Sequence, residues 1–290
     1  MYDQASTLRK LAGERDSSAQ RSMRVIAVSS GKGGVGKTSL VVNLALALTE
    51  HNHRVIILDG DLGLANVDVA FGITPRYNIK HLLAGERGIE DILYTVDNGI
   101  KVLPGASGVI ELANLDRGQL KNVLVNLGRL EKMADILLID TGAGLGHNVL
   151  NFICASDDVI VVMTPEPPSM TDAYGLLKSL KNQADRLNIH VVVNRVKNET
   201  EAKQAYERLE HAVKRFLGIP INLLGWIYDD PLVGKSVMEQ KPVGVSHPLS
   251  HAYKCVQWIA SSVTGIYLQP PTQNGGLKGF LTSLLKANQN

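Results

Sequence analysis

The chain has 290 residues, 44% of them hydrophobic, and its 30 basic and 28 acidic side chains leave a formal charge of only +2. That balance excludes a general electrostatic attraction to nucleic acid, and no apolar run reaches the roughly 18 residues that cross a bilayer. The two cysteines, Cys154 and Cys255, form no CxxC or other paired motif; both lie in apolar segments and are expected to be buried, reduced thiols of a cytosolic protein.

Residues 1–23 are polar. Met1-Tyr2-Asp3-Gln4 offers no basic stretch ahead of an apolar one, so no secretory signal is expected. Asp3 can cap a short helix with Ala5, Leu8 and Ala12 on one face, and Glu14 to Ser18 reads as a linker. From residue 24 to 268, apolar β-branched runs alternate with helical patterns. Val25–Val28, Val55–Leu58, Ile136–Ile139, Val159–Met163 and Ile189–Val193 are short and apolar throughout, as in strands buried on both faces. Helices are expected over Ser39–Glu50, Gln119–Glu131, Met170–Asp185 and Glu201–Phe216. The fold class is therefore α/β in a single domain, a mostly parallel sheet flanked by helices with its ligand at the carboxyl edge.

After the first strand comes Gly31-Lys32-Gly33-Gly34-Val35-Gly36-Lys37-Thr38 and then Ser39, which opens an apolar helix. GxxxxGK[ST] between a strand and a helix is a phosphate-binding loop. Glycines allow successive backbone N–H groups to face phosphate oxygens, and the helix N-terminus adds partial positive charge. Lys37 then serves the β- and γ-phosphates, and the Thr38 hydroxyl serves Mg²⁺. The second strand ends in Asp59-Gly60-Asp61: Asp59 is expected to support the Mg²⁺ shell and Asp61 to orient the attacking water. Asp140, in Asp140-Thr141-Gly142-Ala143-Gly144, follows a third apolar strand and can hold the metal through water. Asn194 and Arg195 end a later strand. His247 and His251 have the i, i+4 spacing of one helix face, without a third ligand that would make a zinc site.

The last stretch, 269–290, begins with a linker, Gln269-Pro270-Pro271 through Gly275. Leu277, Phe280, Leu281, Leu284 and Leu285 then stand at i, i+3, i+4, i+7 and i+8, one apolar helix face flanked by Lys278 and Lys286. Such a helix suits a membrane interface.

Lys32 adds a second lysine to the loop, and KGGVGKT resembles the deviant Walker A ATPases that include MinD, ParA, the nitrogenase iron protein and dethiobiotin synthetase. The resemblance implies that Lys32 reaches the nucleotide of a facing subunit. The segment Asp59 to Asp68 is similar to the DxDxGLxNxD switch of the MinD group, which ties Asp61 to hydrolysis. Asn194, with Arg195 beside it, falls where the group supports adenine, and with no guanine-selecting NKxD segment present ATP is implied over GTP. Thr164-Pro165-Glu166 resembles the group's T-x-P-E turn with a shortened spacing, and no ligand contact is assigned to it. The KGFL stretch at Lys278–Leu281 resembles the MinD membrane-targeting tail.

Asp3-Gln4-Ala5-Ser6-Thr7-Leu8-Arg9 is similar to the DQAxxLR motif of the MinD-like flagellar regulators called FlhG, YlxH or FleN. That resemblance implies an N-terminus that stimulates the FlhF GTPase, with Asp3, Gln4, Ala5, Leu8 and Arg9 as contacts, and further partners in the flagellar switch complex. The whole implies slow, Mg²⁺-dependent ATP hydrolysis to ADP, an ATP-dependent homodimer, and peripheral attachment to the inner face of the cell membrane. The catalytic set is Lys32, Lys37 and Asp61. No nucleic-acid partner is expected. The alternatives are a MinD-type division-site regulator, which the N-terminal motif disfavours, and, from another class, a non-hydrolysing adaptor in which ATP is structural.

Overall fold

The computed structural model describes residues 23–61, 66–105, 125, 126, 128–182, 187–266 and 268–271. The expected contacts Asp3, Gln4, Ala5, Leu8 and Arg9, the membrane-facing Leu277, Phe280, Leu281, Leu284 and Leu285, and most of the helix over Gln119–Glu131 lie outside the described residues.

In chain order the elements are β1 (Arg24–Ser30), α1 (Lys37–Glu50), β2 (Val55–Gly60), α2 (Val67–Phe71), α3 (Ile79–Leu83), α4 (Ile89–Ile92), β3 (Tyr94–Thr95), β4 (Lys101–Leu103), α5 (Leu130–Met133), β5 (Ile136–Ala143), α6 (His147–Ala155), β6 (Asp158–Met163), α7 (Pro167–Ser179), β7 (Asn188–Val196), α8 (Glu199–Phe216), β8 (Asn222–Tyr228), α9 (Pro231–Met238), α10 (Val243–Ser246) and α11 (His251–Thr264). The sheet runs β3-β4-β2-β5-β1-β6-β7-β8, parallel except for β3. From β1 the chain crosses left to β2, over β5, and from β5 it later crosses right to β6. The carboxyl ends of β1 and β5 therefore flank the point where the winding reverses, the crevice in which open α/β sheets bind ligands.

Strands buried on both faces explain the unbroken apolar runs. Along β2, Val55 and Ile57 join one apolar core while Ile56 and Leu58 join a second with Ile79, Leu82, Ile89 and Ile92; this is the two-residue alternation of a pleated strand. Helix α1 is apolar nearly all round because it is packed deep, with Leu40, Leu44 and Leu48 at most 1% exposed. Helix α8 is amphipathic instead: Ala202, Ala205, Tyr206, Leu209 and Val213 face inward, and the Asn198 side chain caps it by accepting from the Glu201 amide.

The five apolar runs are all strands. Helix α7 starts earlier than Met170, at Pro167, because prolines suit a first turn, and it ends at Ser179. Two expectations are corrected. Cys154 is exposed, since α6 turns Val149 and Ile153 inward and leaves Cys154 on the outer side; Cys255 is buried. His247 and His251 do not share a helix: His247 caps the end of α10, and Ser250 begins α11 anew by accepting from the Tyr253 amide. No helix among the described residues is long and apolar enough to cross a membrane.

Candidate nucleotide site

The loop between β1 and α1 folds tightly for identifiable reasons. A methyl group added at Gly31 would lie 2.1 Å from the Asp172 carbonyl oxygen, so only glycine lets β1 pass under α7. Gly34 and Gly36 adopt φ of +77° and +96°, the left-handed region that side chains disfavour. Helix α1 then begins at Lys37 with its N-terminus directed at the loop. Gly33, Gly34, Gly36, Lys37, Thr38 and Ser39 line a cleft of about 810 Å³.

Three carboxylates gather at this edge, two of them placed by strand register and the third, Asp61, just past the end of β2. Asp59 of β2 stands opposite Asp140 of β5, which in turn stands opposite Val28 of β1. Asp140 is 1% exposed, and its Oδ2 accepts the Thr38 hydroxyl at 2.6 Å. Its Oδ1 is buried and has no partner. Burial pushes the Asp140 carboxyl up to about 7, against the opposing pull of the Thr38 hydrogen bond and the Lys37 charge. An orphaned carboxylate oxygen beside a threonine hydroxyl and a phosphate-binding loop fits a hard divalent cation such as Mg²⁺, which takes oxygen donors and keeps several waters.

Asp59, expected to support the Mg²⁺ shell, also organises the backbone around it. Its oxygens accept the backbone N–H groups of Asp61 at 3.1 Å, Asn66 at 3.0 Å and Val67 at 3.2 Å, so it pins both ends of the switch segment. Burial raises its pKa, and the three amides partly offset this. Asp61, held by that anchor, lines the cleft, and its Oδ1 would stand 3.7 Å from a methyl group added at Gly142, just beyond Asp140.

The two loop lysines part company. Lys37 is 8% exposed and lines the cleft, whereas Lys32 is not among the lining residues and pairs with Glu166 at 3.2 Å. Thr164 steadies that carboxylate, donating to the same oxygen at 3.3 Å. The T-P-E turn, to which no ligand contact is assigned, is thus the resting place of Lys32. Val35 turns its side chain into the core and presents its carbonyl to the Asn194 side chain at 2.7 Å. Arg195 sits beside it in the cleft wall. The far wall, from Tyr228 to Val237, was missed. Asp230 there caps α9 through the Leu232 amide and also accepts from Ala252; the Asp230-Pro231 pair, a common helix start, was the available signal.

A phosphate-binding loop with a second lysine, at the switch point of a parallel sheet, with carboxylates near the carboxyl ends of β2 and β5, defines a P-loop ATPase of the MinD/ParA type. A family model described as an AAA domain matches residues 23–193. The chain is 35% identical to the antiactivator FleN of Pseudomonas aeruginosa, covering 91% of this chain and 94% of that one. It is 33% identical to the flagellum site-determining protein YlxH of Helicobacter pylori over 99% of both. The solved structure of the septum site-determining protein MinD of Pyrococcus horikoshii, complexed with Mg-ADP, superposes with a TM-score of 0.65 at 26% identity, covering 83% of this chain and 96% of that one. The chain belongs to the FleN/YlxH (FlhG) family of MinD-like ATPases.

Proposed function

We propose that the protein is an ATP-dependent switch controlling flagellum number or placement. It binds Mg-ATP, pairs with a second copy, hydrolyses ATP slowly, reaches the membrane through its C-terminal helix and stimulates an FlhF-type GTPase through its N-terminus. The observation that carries the pairing is the divergence of the loop lysines: Lys37 serves its own cleft, while Lys32 points out of it toward Glu166. A loop lysine that does not line its own cleft supports a role for it toward the nucleotide of a facing copy.

In this mechanism the loop amides and Lys37 hold the β- and γ-phosphates, and Asp61 orients water for in-line attack. Thr38 and Asp140 are the residues that would hold Mg²⁺, which when bound would neutralise phosphate charge. Catalysis of this kind is positioning and charge stabilisation rather than covalent chemistry. Lys32 from the partner copy supplies the last positive charge, so hydrolysis waits on assembly. The Mg-ADP complex of the P. horikoshii relative supports the nucleotide and metal assignments.

Five apolar side chains at Leu277, Phe280, Leu281, Leu284 and Leu285 offer at most roughly 1.5–3 kcal/mol each when fully buried, and ordering the segment costs roughly 1 kcal/mol per residue. One tail binds marginally; two on a dimer gain effective concentration, so ATP controls residence. The similarity to FleN and YlxH supports the flagellar setting and, with it, FlhF and switch-complex proteins as partners.

The deciding experiment is gel filtration of wild type and Asp61→Ala with ATP or ADP, with phosphate release followed against protein concentration. ATP is expected to drive dimerisation, most durably in Asp61→Ala, and the rate per molecule to rise across the monomer–dimer range. A concentration-independent rate, or no assembly with ATP, removes the switch. Deleting residues 276–290 should abolish ATP-stimulated liposome sedimentation, and deleting residues 1–20 should abolish GTPase stimulation.

A further inference from the structure

The geometry points to Asn194 as a positioning residue that braces the phosphate-binding loop from β7, so that replacing it weakens every phosphate ligand alike and leaves base selectivity intact. This rests on the nucleotide reading above.

Four observations on one side chain carry it. The Asn194 Nδ2 donates to the Val35 carbonyl at 2.7 Å in a buried position. Its Oδ1 accepts the Arg195 amide at 2.9 Å. That second bond fixes the orientation of the side-chain amide, because an oxygen facing Val35 would meet another acceptor. Strand β7 shifts register between Asn194 and Val196, and Arg195 holds φ +58°, uncommon for a residue with a side chain. A bulge of this kind bends a strand and re-aims a side chain; here it aims Asn194 at the loop. Lastly, a methyl group at Gly36 would lie 2.3 Å from Nδ2. Asn194 occupies the space that the absent Gly36 side chain leaves, directly against the left-handed turn that starts α1.

The Val35 carbonyl belongs to the peptide whose N–H is that of Gly36. Holding that carbonyl outward turns the same peptide's N–H toward the cleft, where phosphate oxygens bind. Without the bond, the loop samples other orientations, and each ligand must order it on binding. A strut acts on whatever phosphate occupies the loop. A base-reading side chain acts only on ligands that carry a base.

The test compares wild type, Asn194→Ala and Asn194→Asp by calorimetry with Mg-ATP, Mg-GTP and inorganic triphosphate, and by amide hydrogen exchange of the ligand-free proteins. Asn194→Ala is expected to weaken all three ligands by a common factor on the order of tenfold, as for one buried hydrogen bond. Exchange over Gly33–Gly36 should quicken while β7 keeps its protection. Asn194→Asp preserves size and the bond from Arg195 but cannot donate to Val35; it keeps the proposal testable if the alanine variant folds poorly, and it should show the same quickened loop. Unchanged affinity for inorganic triphosphate with a selective loss for ATP overturns the strut, as does unchanged loop exchange in both variants. Wild-type protein that binds no nucleotide at all would instead overturn the nucleotide reading.

Discussion

Replacing Asp140 with asparagine should stabilise the ligand-free protein while removing its response to magnesium. The carboxyl is 1% exposed, one oxygen has no partner, and burial raises its pKa from 3.8 in the unfolded chain to about 7. Below pH 4 it is protonated in both states and affects neither. Between pH 4 and pH 7 the folded state holds a proton that the unfolded state has released, so stability declines as pH rises. With each unit worth about 1.4 kcal/mol, the full penalty above pH 7 is about 4 kcal/mol. Asparagine keeps an oxygen for the Thr38 hydroxyl and never ionises, but it leaves a buried N–H unpaired, which costs about 1 kcal/mol or more. The net gain at pH 8 is thus about 2–3 kcal/mol, or roughly 5 °C in Tm for a chain of this length. The assay is thermal unfolding in EDTA from pH 4.5 to 8, then with Mg-ATP. Wild type should lose stability with rising pH and regain it with Mg-ATP; the variant should show neither change at this site. A variant no more stable than wild type at pH 8, or one whose advantage is as large at pH 4.5, refutes the reasoning.

The remaining predictions follow from other contacts. Glu166→Gln releases Lys32 from a largely exposed pair worth at most about 1 kcal/mol, so phosphate release at sub-saturating protein should rise by up to about fivefold, and Lys32→Ala should abolish it. Burial presses the Asp158 carboxyl upward, yet the Arg24 hydrogen bond at 2.6 Å and the nearby His190 ring at 3.6 Å hold it well below the usual carboxylate range. Its stabilisation is complete above pH 4 and fades only in strong acid. Asp158→Asn should cost about 2 kcal/mol at pH 7, less than a fully buried pair because Arg24 is 40% exposed, and urea unfolding would read it. At Gly244 a methyl group would meet the Tyr253 ring at 2.3 Å and Leu46 at 2.6 Å, so Gly244→Ala should lower stability by about 1–3 kcal/mol by overpacking, again read in urea.

The parallel core was legible because β1, β2, β5, β6 and β7 are apolar on both faces and leave continuous Val/Ile runs. β8 was not, because Gly225 interrupts it; yet a methyl group there would strike Ile259 at 2.7 Å and Trp258 at 3.0 Å, so that glycine is what lets α11 pack on the strand. Losing β8 also lost the far wall of the cleft, since Tyr228 and Asp230 hang from its end. The loop and its three acids were readable because motif spacing is local. The pairing of Lys32 with Glu166 was not, because the residues are 134 positions apart and only the fold brings β1 and β6 side by side. The buried cysteine expected at Cys154 failed for a related reason: apolar neighbours mark a helix, while the face a residue takes depends on what packs against it.

The proposed division of labour among the three acids rests on the contacts that each one makes. Asp59, closest in sequence to the catalytic candidate, is already bonded to three backbone amides on either side of residues 62–65. Asp140 has one oxygen taken by Thr38 and one buried without a partner. Asp61 projects from the segment that Asp59 anchors, into the cleft and toward Gly142. Asp59 therefore holds the backbone from which Asp61 projects, and under the proposed function a change at Asp59 is expected to act on hydrolysis through that backbone. Asp140 keeps a buried oxygen that fits the proposed cation. Asp59 and Asp140 are register partners on adjacent strands, so under the proposed function a shift of the backbone that Asp59 anchors and a change at Asp140 would meet at one point of the sheet.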